Sequence, residues 1–159
     1  MAANRNGHID DASDGDVIEI AAGTYGSSSD TVETLGKAIT IRGEVGAAGE
    51  PLTTVAHFFY IWEGETSSTV FENLLCKTQW HIEDCGPTLR NCVFDDVDSN
   101  GLEWSSGALS IGGSSSRPVL QNCRFTRNSS GLGGSALEEA SGFCFYGASV
   151  TLTDCLFDS

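Results

Sequence analysis

Three stretches of the chain align without gaps: Thr88-Leu-Arg-Asn-Cys-Val-Phe94, Val119-Leu-Gln-Asn-Cys-Arg-Phe125 and Thr151-Leu-Thr-Asp-Cys-Leu-Phe157. Their cysteines recur after 31 and then 32 residues. Three columns are apolar: Leu89, Leu120 and Leu152; Cys92, Cys123 and Cys155; Phe94, Phe125 and Phe157. The column after Leu is polar throughout (Arg90, Gln121, Thr153), so Leu points inward and its neighbour outward, as on a strand. Strict alternation would then turn Cys outward, yet Cys behaves as a core column and Phe two residues later keeps its phase. The phase therefore slips at Asn91, Asn122 and Asp154. Asn and Asp are the non-Gly residues that best tolerate left-handed backbone, so each copy reads as a strand, an Asx bend and a second short strand. Pro87 and Pro118 stand just before two of the copies, where a proline removes no ladder bond.

A unit of about thirty residues cannot enclose a core alone, but stacked copies can. Like residues then pile up at the strand spacing of roughly 4.8 Å, and Asn amides can bond up and down a ladder. Parallel coils explain one motif repeated in one orientation better than an antiparallel sandwich does. The rest of the chain agrees: short β-rich stretches, punctuated by Gly, Ser, Asp and Pro, with no helical periodicity and no evident amphipathic N-terminal helix. The expected fold is all-β, a parallel β-helix (solenoid) of about six coils, with residues 1–159 as a single domain. Val70-Phe-Glu-Asn-Leu-Leu-Cys76 reads as a degenerate further copy, but Asn73 precedes Asn91 by only 18 residues. It is either a tight coil or a strand on another face. Solenoid ends need polar caps, and Cys155-Leu-Phe-Asp-Ser159 stops inside a copy. The expectation is therefore an incompletely capped stack, either a fragment of a longer solenoid or one whose ends other subunits bury.

The copies resemble the coils of right-handed parallel β-helix proteins, the pectin-lyase-like superfamily. The opening Ile9-Asp-Asp-Ala-Ser-Asp-Gly-Asp-Val-Ile-Glu-Ile-Ala-Ala-Gly-Thr-Tyr25, followed by Ala38-Ile-Thr-Ile-Arg-Gly43, is similar to the first coils of that family. Phe125-Thr-Arg-Asn128 followed by Gly133-Gly-Ser-Ala-Leu137 resembles the paired motifs of polymorphic outer-membrane-protein repeats. Phe94-Asp-Asp-Val97 lacks the Asn of that motif, and Ser135 interrupts its Gly-Gly-Ala. The resemblance implies a right-handed coil and an extracellular or cell-surface location. It does not imply one activity, because this fold carries lyases, hydrolases, epimerases, adhesins and structural proteins.

Eight basic residues stand against 22 acidic ones, a formal net charge of −14. Such a surface repels phosphate backbones and anionic lipid, which argues against nucleic-acid partners and membrane binding. No apolar run reaches the length of a membrane span, and residues 1–16 hold no apolar h-region of a signal peptide. Of six cysteines, three share one inward column, where Cys acts as a small buried hydrophobe, so these are expected to be free thiols. The state of Cys76, Cys85 and Cys144 is open.

Enzymes of the resembled family act on acidic polysaccharides through several Asp carboxylates, or through Ca²⁺ with a basic residue. The carboxylate pair here is Asp95 and Asp96. Adjacent strand residues face opposite ways, so the pair does not converge on one bond, and a solvated turn is the better reading. Asp96-Val-Asp98-Ser-Asn100-Gly101 fits the first half of a calcium loop, with oxygens at alternate positions. Gly107 stands where the bidentate Glu belongs, so Asp96, Asp98 and Asn100 are a weak Ca²⁺ candidate, with a plain acidic turn as the stronger alternative; no other cofactor is implied. In Phe58-Phe-Tyr-Ile-Trp62, alternation puts Phe58, Tyr60 and Trp62 on one face and Phe59 with Ile61 on the other. One face enters the core, leaving an aromatic strip to stack on sugar rings or meet a partner. Trp80 and Trp104 are similar candidates. His8, His57 and His81 read as incidental, and Asn128-Ser-Ser130 is a glycosylation sequon. The functional expectation is a non-catalytic β-helix module of a surface, secreted or assembly-associated protein, meeting glycan or protein through its lateral face and further coils or subunits at its ends. The competing class is a partial or degenerate polysaccharide lyase or glycoside hydrolase.

Overall fold

The computed structural model describes residues 7–27, 29, 31–99, 107–129, 143–145 and 147–158. Its strands rotate through three sheets. The first circuit, or coil, is β1 (Val17–Ile20), β2 (Gly23–Tyr25) and β3 (Thr31–Val32); the second is β4 (Thr40–Gly43), β5 (Thr53–Val55) and β6 (Phe58–Ile61). The third is β7 (Val70–Glu72), β8 (Leu74–Cys76) and β9 (Trp80–Glu83); the fourth is β10 (Thr88–Arg90), β11 (Val93–Asp95) and β12 (Leu109–Gly112). β13 (Val119–Gln121), β14 (Arg124–Thr126) and β15 (Phe143–Phe145) make the fifth, and β16 (Thr151–Thr153) and β17 (Leu156–Asp158) open another. The sheets order as β1-β4-β7-β10-β13-β16, β2-β5-β8-β11-β14-β17 and β3-β6-β9-β12-β15. Every pairing between these strands is parallel, so the fold is all-β and parallel β-helix-like, and the sandwich alternative falls.

The apolar columns are continuous files. Leu89 lies between Phe71 and Leu120, and Leu120 is followed by Leu152. Phe94, Phe125 and Phe157 form a ring pile, with centroids 4.9 and 5.0 Å apart and planes within 4°. Val70–Cys76 opens a true tight coil and is paired in register with the coils on both sides. The extra length of the later coils lies between their second-sheet and third-sheet strands. Cys76 sits under Phe94, in the Phe file, and Leu74 takes the place that Cys92 holds one coil later.

The corner between the first two sheets is one residue in left-handed geometry. Asn73, Asn91, Asn122 and Asp154 have φ of 61°, 49°, 52° and 53°, which is the phase slip read from the repeat. Asn carries both a donor and an acceptor, so it bonds to its own kind in both directions. Asn91 Nδ2 donates to Asn73 Oδ1 at 2.9 Å, and Asn122 Nδ2 to Asn91 Oδ1 at 3.2 Å. Gly43 begins this corner in the second coil, and a Cβ there would lie 2.2 Å from the Asn73 carbonyl oxygen. The adjacent thiols repeat as well. Cys92, Cys123 and Cys155 each donate at 3.5 Å to the carbonyl of the coil before, at Phe71, Leu89 and Leu120. These three, with Cys76 and Cys85, are free thiols, and Cys144 is placed in β15 by its backbone alone.

Outward columns obey the same rule. On the first sheet Glu19, Arg42, Glu72, Arg90 and Gln121 succeed one another on neighbouring strands. Arg42 and Arg90 both donate to Glu72, the latter at 2.9 Å, and Arg90 Nε reaches Gln121 Oε1 at 3.2 Å. Like charges would repel at this spacing, and alternating ones attract.

One expectation is corrected at the N-terminal end. A single helical turn, α1 (Gly7–Asp11), lies over the first coil, with Ile9 buried in the core. It is too short to show a helical period. A distant residue pins it: Lys37 Nζ donates to the Ile9 and Asp10 carbonyls at 2.6 and 2.9 Å.

The Asn file gives a graded test. Asn91→Gly keeps the left-handed corner but loses the amide bonds, an expected cost of about 1 kcal/mol. Asn91→Ala adds the Cβ penalty of left-handed backbone and is expected to cost about 1–2 kcal/mol more. Urea unfolding of both variants measures the order, and equal losses would show that the corner geometry is not what Asn supplies.

Candidate functional site on the outer face of the third sheet

Tight alternation along β6 sorts its aromatics. Phe59 and Ile61 are buried, Phe58 and Tyr60 are half-buried, and Trp62 is 50% exposed. Tyr60 and Trp62 stack with centroids 5.5 Å apart and planes 12° from parallel, and Phe58 tilts against Tyr60 at 6.4 Å. The three form a pile rather than a flat strip, so the ring most open to a ligand is Trp62. Register then supplies a polar neighbour. Tyr60 pairs with His81 and Ile61 with Ile82; Glu83 closes β9 one residue past the last pair, and Trp62 follows directly on β6. Tyr60 Oη donates to Glu83 Oε2 at 3.4 Å, and His81 Nε2 meets the same oxygen at 3.3 Å. The His81 side chain is fully buried while that of Glu83 is 37% exposed. A ligand on this face meets the Trp62 ring and the Glu83 carboxylate, with Tyr60 and His81 holding them in place.

Trp80 does not belong to this surface. It is fully buried between the sheets, with its ring 4.2 Å from Phe59, 5.1 Å from Phe71 and 5.5 Å from Phe94. It occupies the inward file that pairs with Phe59 and Leu109, so the core claims it. Trp104 and Asn100 lie outside the described residues.

Asp95 is held as an ion on the outer face of the second sheet. Lys77 Nζ donates to Oδ2 at 2.8 Å, Thr126 Oγ1 to Oδ1 at 2.8 Å, and Arg127 bridges both oxygens at 2.6–3.0 Å. Partial burial alone would raise its carboxyl, but bonds from Arg127, Lys77 and Thr126 outweigh that and hold it well below the usual carboxylate range. A carboxyl so stabilised is a poor proton donor near neutrality. Asp96 is an exposed corner residue with φ 57°. Asp96 and Asp98 are both exposed, and Asp98 Oδ1 accepts from Ser129 Oγ at 3.2 Å. Among the described residues no three His, Cys, Asp or Glu side chains are grouped to hold a metal ion. The sequon is also redefined: Asn128 is buried, donates to the Phe94 carbonyl at 3.0 Å and accepts from Val97 N at 2.9 Å. Its amide serves as a rung between coils, closed to glycosylation in the folded chain.

The corner from the third sheet to the first holds a buried carboxylate that the repeat did not signal. Glu65 accepts from Thr34 Oγ1 at 2.7 Å, Gly36 N at 3.0 Å, Glu63 N at 2.9 Å and the Cys85 thiol at 3.0 Å. Burial opposes its charge, yet the bonds from Thr34, Cys85 and backbone amides lower its pKa overall. Burial and the bond to Glu65 push the Cys85 thiol up to about 12, so it stays protonated as the donor. Sequence reasoning missed Glu65, Glu83 and His81 because each acquires its role from a residue on another coil. His81 and Glu83 share a face by alternation, and only that much was available beforehand.

No protein-family model, no curated protein and no solved structure matches this chain. No helix among the described residues is long and apolar enough to cross a membrane.

Glu65 sets a pH test. Its folded pKa lies below the unfolded value of about 4.3, so its contribution is full above that pH and fades as pH falls through the folded pKa. Glu65→Gln puts an amide nitrogen against N–H donors and is expected to cost roughly 1–3 kcal/mol at pH 7. The gap between the two proteins should narrow below about pH 4 in chemical denaturation, and a gap independent of pH would refute the ionised state.

Proposed function

We propose that the chain is a non-catalytic module of a right-handed, pectin-lyase-like parallel β-helix in a surface, secreted or assembly-associated protein, and that it recognises neutral glycan through Trp62 and Glu83. Right-handed crossovers are the near-universal solution for parallel strands of one sheet, which supports the handedness. The observation that carries the binding reading is the pile of Tyr60 and Trp62 on a rigid sheet face, with a half-exposed carboxylate at its edge. The apolar face of a sugar ring fits against indole, and its hydroxyls donate to Glu83.

Charge selects a neutral ligand. Six of the eight basic residues (Lys37, Arg42, Lys77, Arg90, Arg117 and Arg127) are engaged in hydrogen bonds within the chain. With a net charge of −14 besides, a polyuronate would be repelled. The competing reading, a degenerate polysaccharide lyase or glycoside hydrolase, needs an acid and a base converging on one bond, and Asp95 is committed to its cations. At the open end of the stack, Leu152 and Leu156 are 44% and 47% exposed, which supports further coils or another subunit as the partner there.

A glycan array with product analysis tests the reading. Retention of neutral glycans without cleavage is expected, weakened about tenfold or more by Trp62→Ala and several-fold by Glu83→Gln. New reducing or unsaturated ends would overturn the non-catalytic assignment, and undiminished retention by Trp62→Ala would overturn the site.

A further inference from the structure

Leu35 is the one apolar side chain in left-handed backbone among the described residues: its φ is 57°, whereas the other non-glycine residues there are Asn, Asp or Arg127. That geometry is unfavourable for a residue with a Cβ, and Gly or Asn would adopt it more readily. Leu35 is also 37% exposed, so the core does not account for its side chain. Backbone strain of this kind collects at functional sites. Leu35 and Trp62 each lie three residues past the paired Val32 and Phe59. One residue further on, Gly36 abuts Glu63, since a Cβ on Gly36 would lie 2.7 Å from the Glu63 carbonyl oxygen. Leu35 therefore neighbours Trp62 on the coil before it. Glu65 holds the junction: it accepts from Thr34 Oγ1 and Gly36 N, on either side of Leu35, and from Glu63 N, next to Trp62. On the coil after, Glu83 follows Ile82 as Trp62 follows Ile61. Trp62 thus has an apolar side chain one coil back and a carboxylate one coil on. Tyr60 covers one face of its ring, and past the strand end a Cβ on Gly64 would meet no atom within 4 Å.

We infer that Leu35 is a specificity-determining contact of this site and that the ligand is a neutral 6-deoxyhexose, a conclusion that rests on the glycan reading. The coils of Leu35 and Glu83 are two strand spacings apart, roughly 9.6 Å. The ligand therefore has to present its apolar group and its hydroxyls at opposite edges of the ring that stacks on Trp62. A 6-deoxyhexose does so, because its C5 methyl lies across the ring from the C2 and C3 hydroxyls. The methyl rests on Leu35 and the hydroxyls donate to Glu83. A 6-hydroxy sugar sets a polar hydroxymethyl against Leu35 instead and gains less from it. An N-acetylated sugar carries its methyl and its N–H on one substituent, which reaches only one of the two residues.

Ligand-observed NMR titration of the full chain with two matched pairs tests this: L-fucose against L-galactose, and L-rhamnose against L-mannose. The parent protein should bind at least one 6-deoxy sugar about fourfold more tightly than its 6-hydroxy partner, which is what burial of one methyl group is worth. Leu35→Gly should bring that pair to within about twofold. Gly adopts left-handed backbone freely, so this variant is expected to melt no lower than the parent. Leu35→Asn, which also tolerates the geometry, should lose the preference in the same way. Equal affinity within both pairs, with binding lost in Trp62→Ala, would overturn the role of Leu35 and leave the glycan reading standing. A preference that survives Leu35→Gly, or tighter binding of N-acetylglucosamine than of either 6-deoxy sugar, would overturn that role too. Failure of every sugar to bind would overturn both.

Discussion

A parallel coil sets every side chain one strand spacing from its counterpart in the next coil, so each column has to tolerate its own repetition. This constraint governs the molecule. Leu on Leu and Phe on Phe satisfy it by burial and ring stacking. Asn on Asn satisfies it because the amide donates and accepts at once. Cys satisfies it by donating to the carbonyl of the coil before, which leaves the next thiol free to do the same. Charges cannot repeat, and on the first sheet they alternate, with Arg42 and Arg90 on either side of Glu72.

Places where a column fails to repeat are where other chemistry enters. Asp95 faces Lys77 on one side and Thr126 with Arg127 on the other, so its carboxylate closes a local charge cluster. Glu65 sits between Thr34 and Cys85, and three different residue types make one complete set of donors and acceptor. Trp62 follows the end of β6 and stacks on Tyr60 of its own coil, whose hydroxyl reaches Glu83 of the next. The Asn corners, the column thiols, Glu65 and Asp95 find their partners on neighbouring coils, whereas the candidate site lies on the outer face.

The repeat made much of this legible. Leu89, Asn91, Cys92 and Phe94 carry the in, corner, in, in pattern in their types, because only Asn, Asp or Gly enters left-handed geometry cheaply and only apolar residues stack inward without partners. Alternation alone separated Phe58, Tyr60 and Trp62 from Phe59 and Ile61, and burial decided which face turned outward. Trp80 was misread although it alternates with Ile82 against Gln79, His81 and Glu83, a period that already turns the indole inward; the rings that bury it, Phe59, Phe71 and Phe94, arrive from other strands. The one-turn α1 escaped because a single inward Ile9 makes no pattern.

By itself, then, the sequence determined the strand-corner-strand unit, its parallel stacking and the inward columns, since these depend on residue type and spacing within one copy. Only the tertiary structure decided that Val70–Cys76 supplies the first two strands of a full coil, with Cys76 in the Phe file, that Glu83 meets Tyr60 and His81, and that Glu65 is bonded on both sides. Those pairings depend on register between coils separated by loops of unequal length. Composition leaves that register open, and hydrogen bonds between strands fix it.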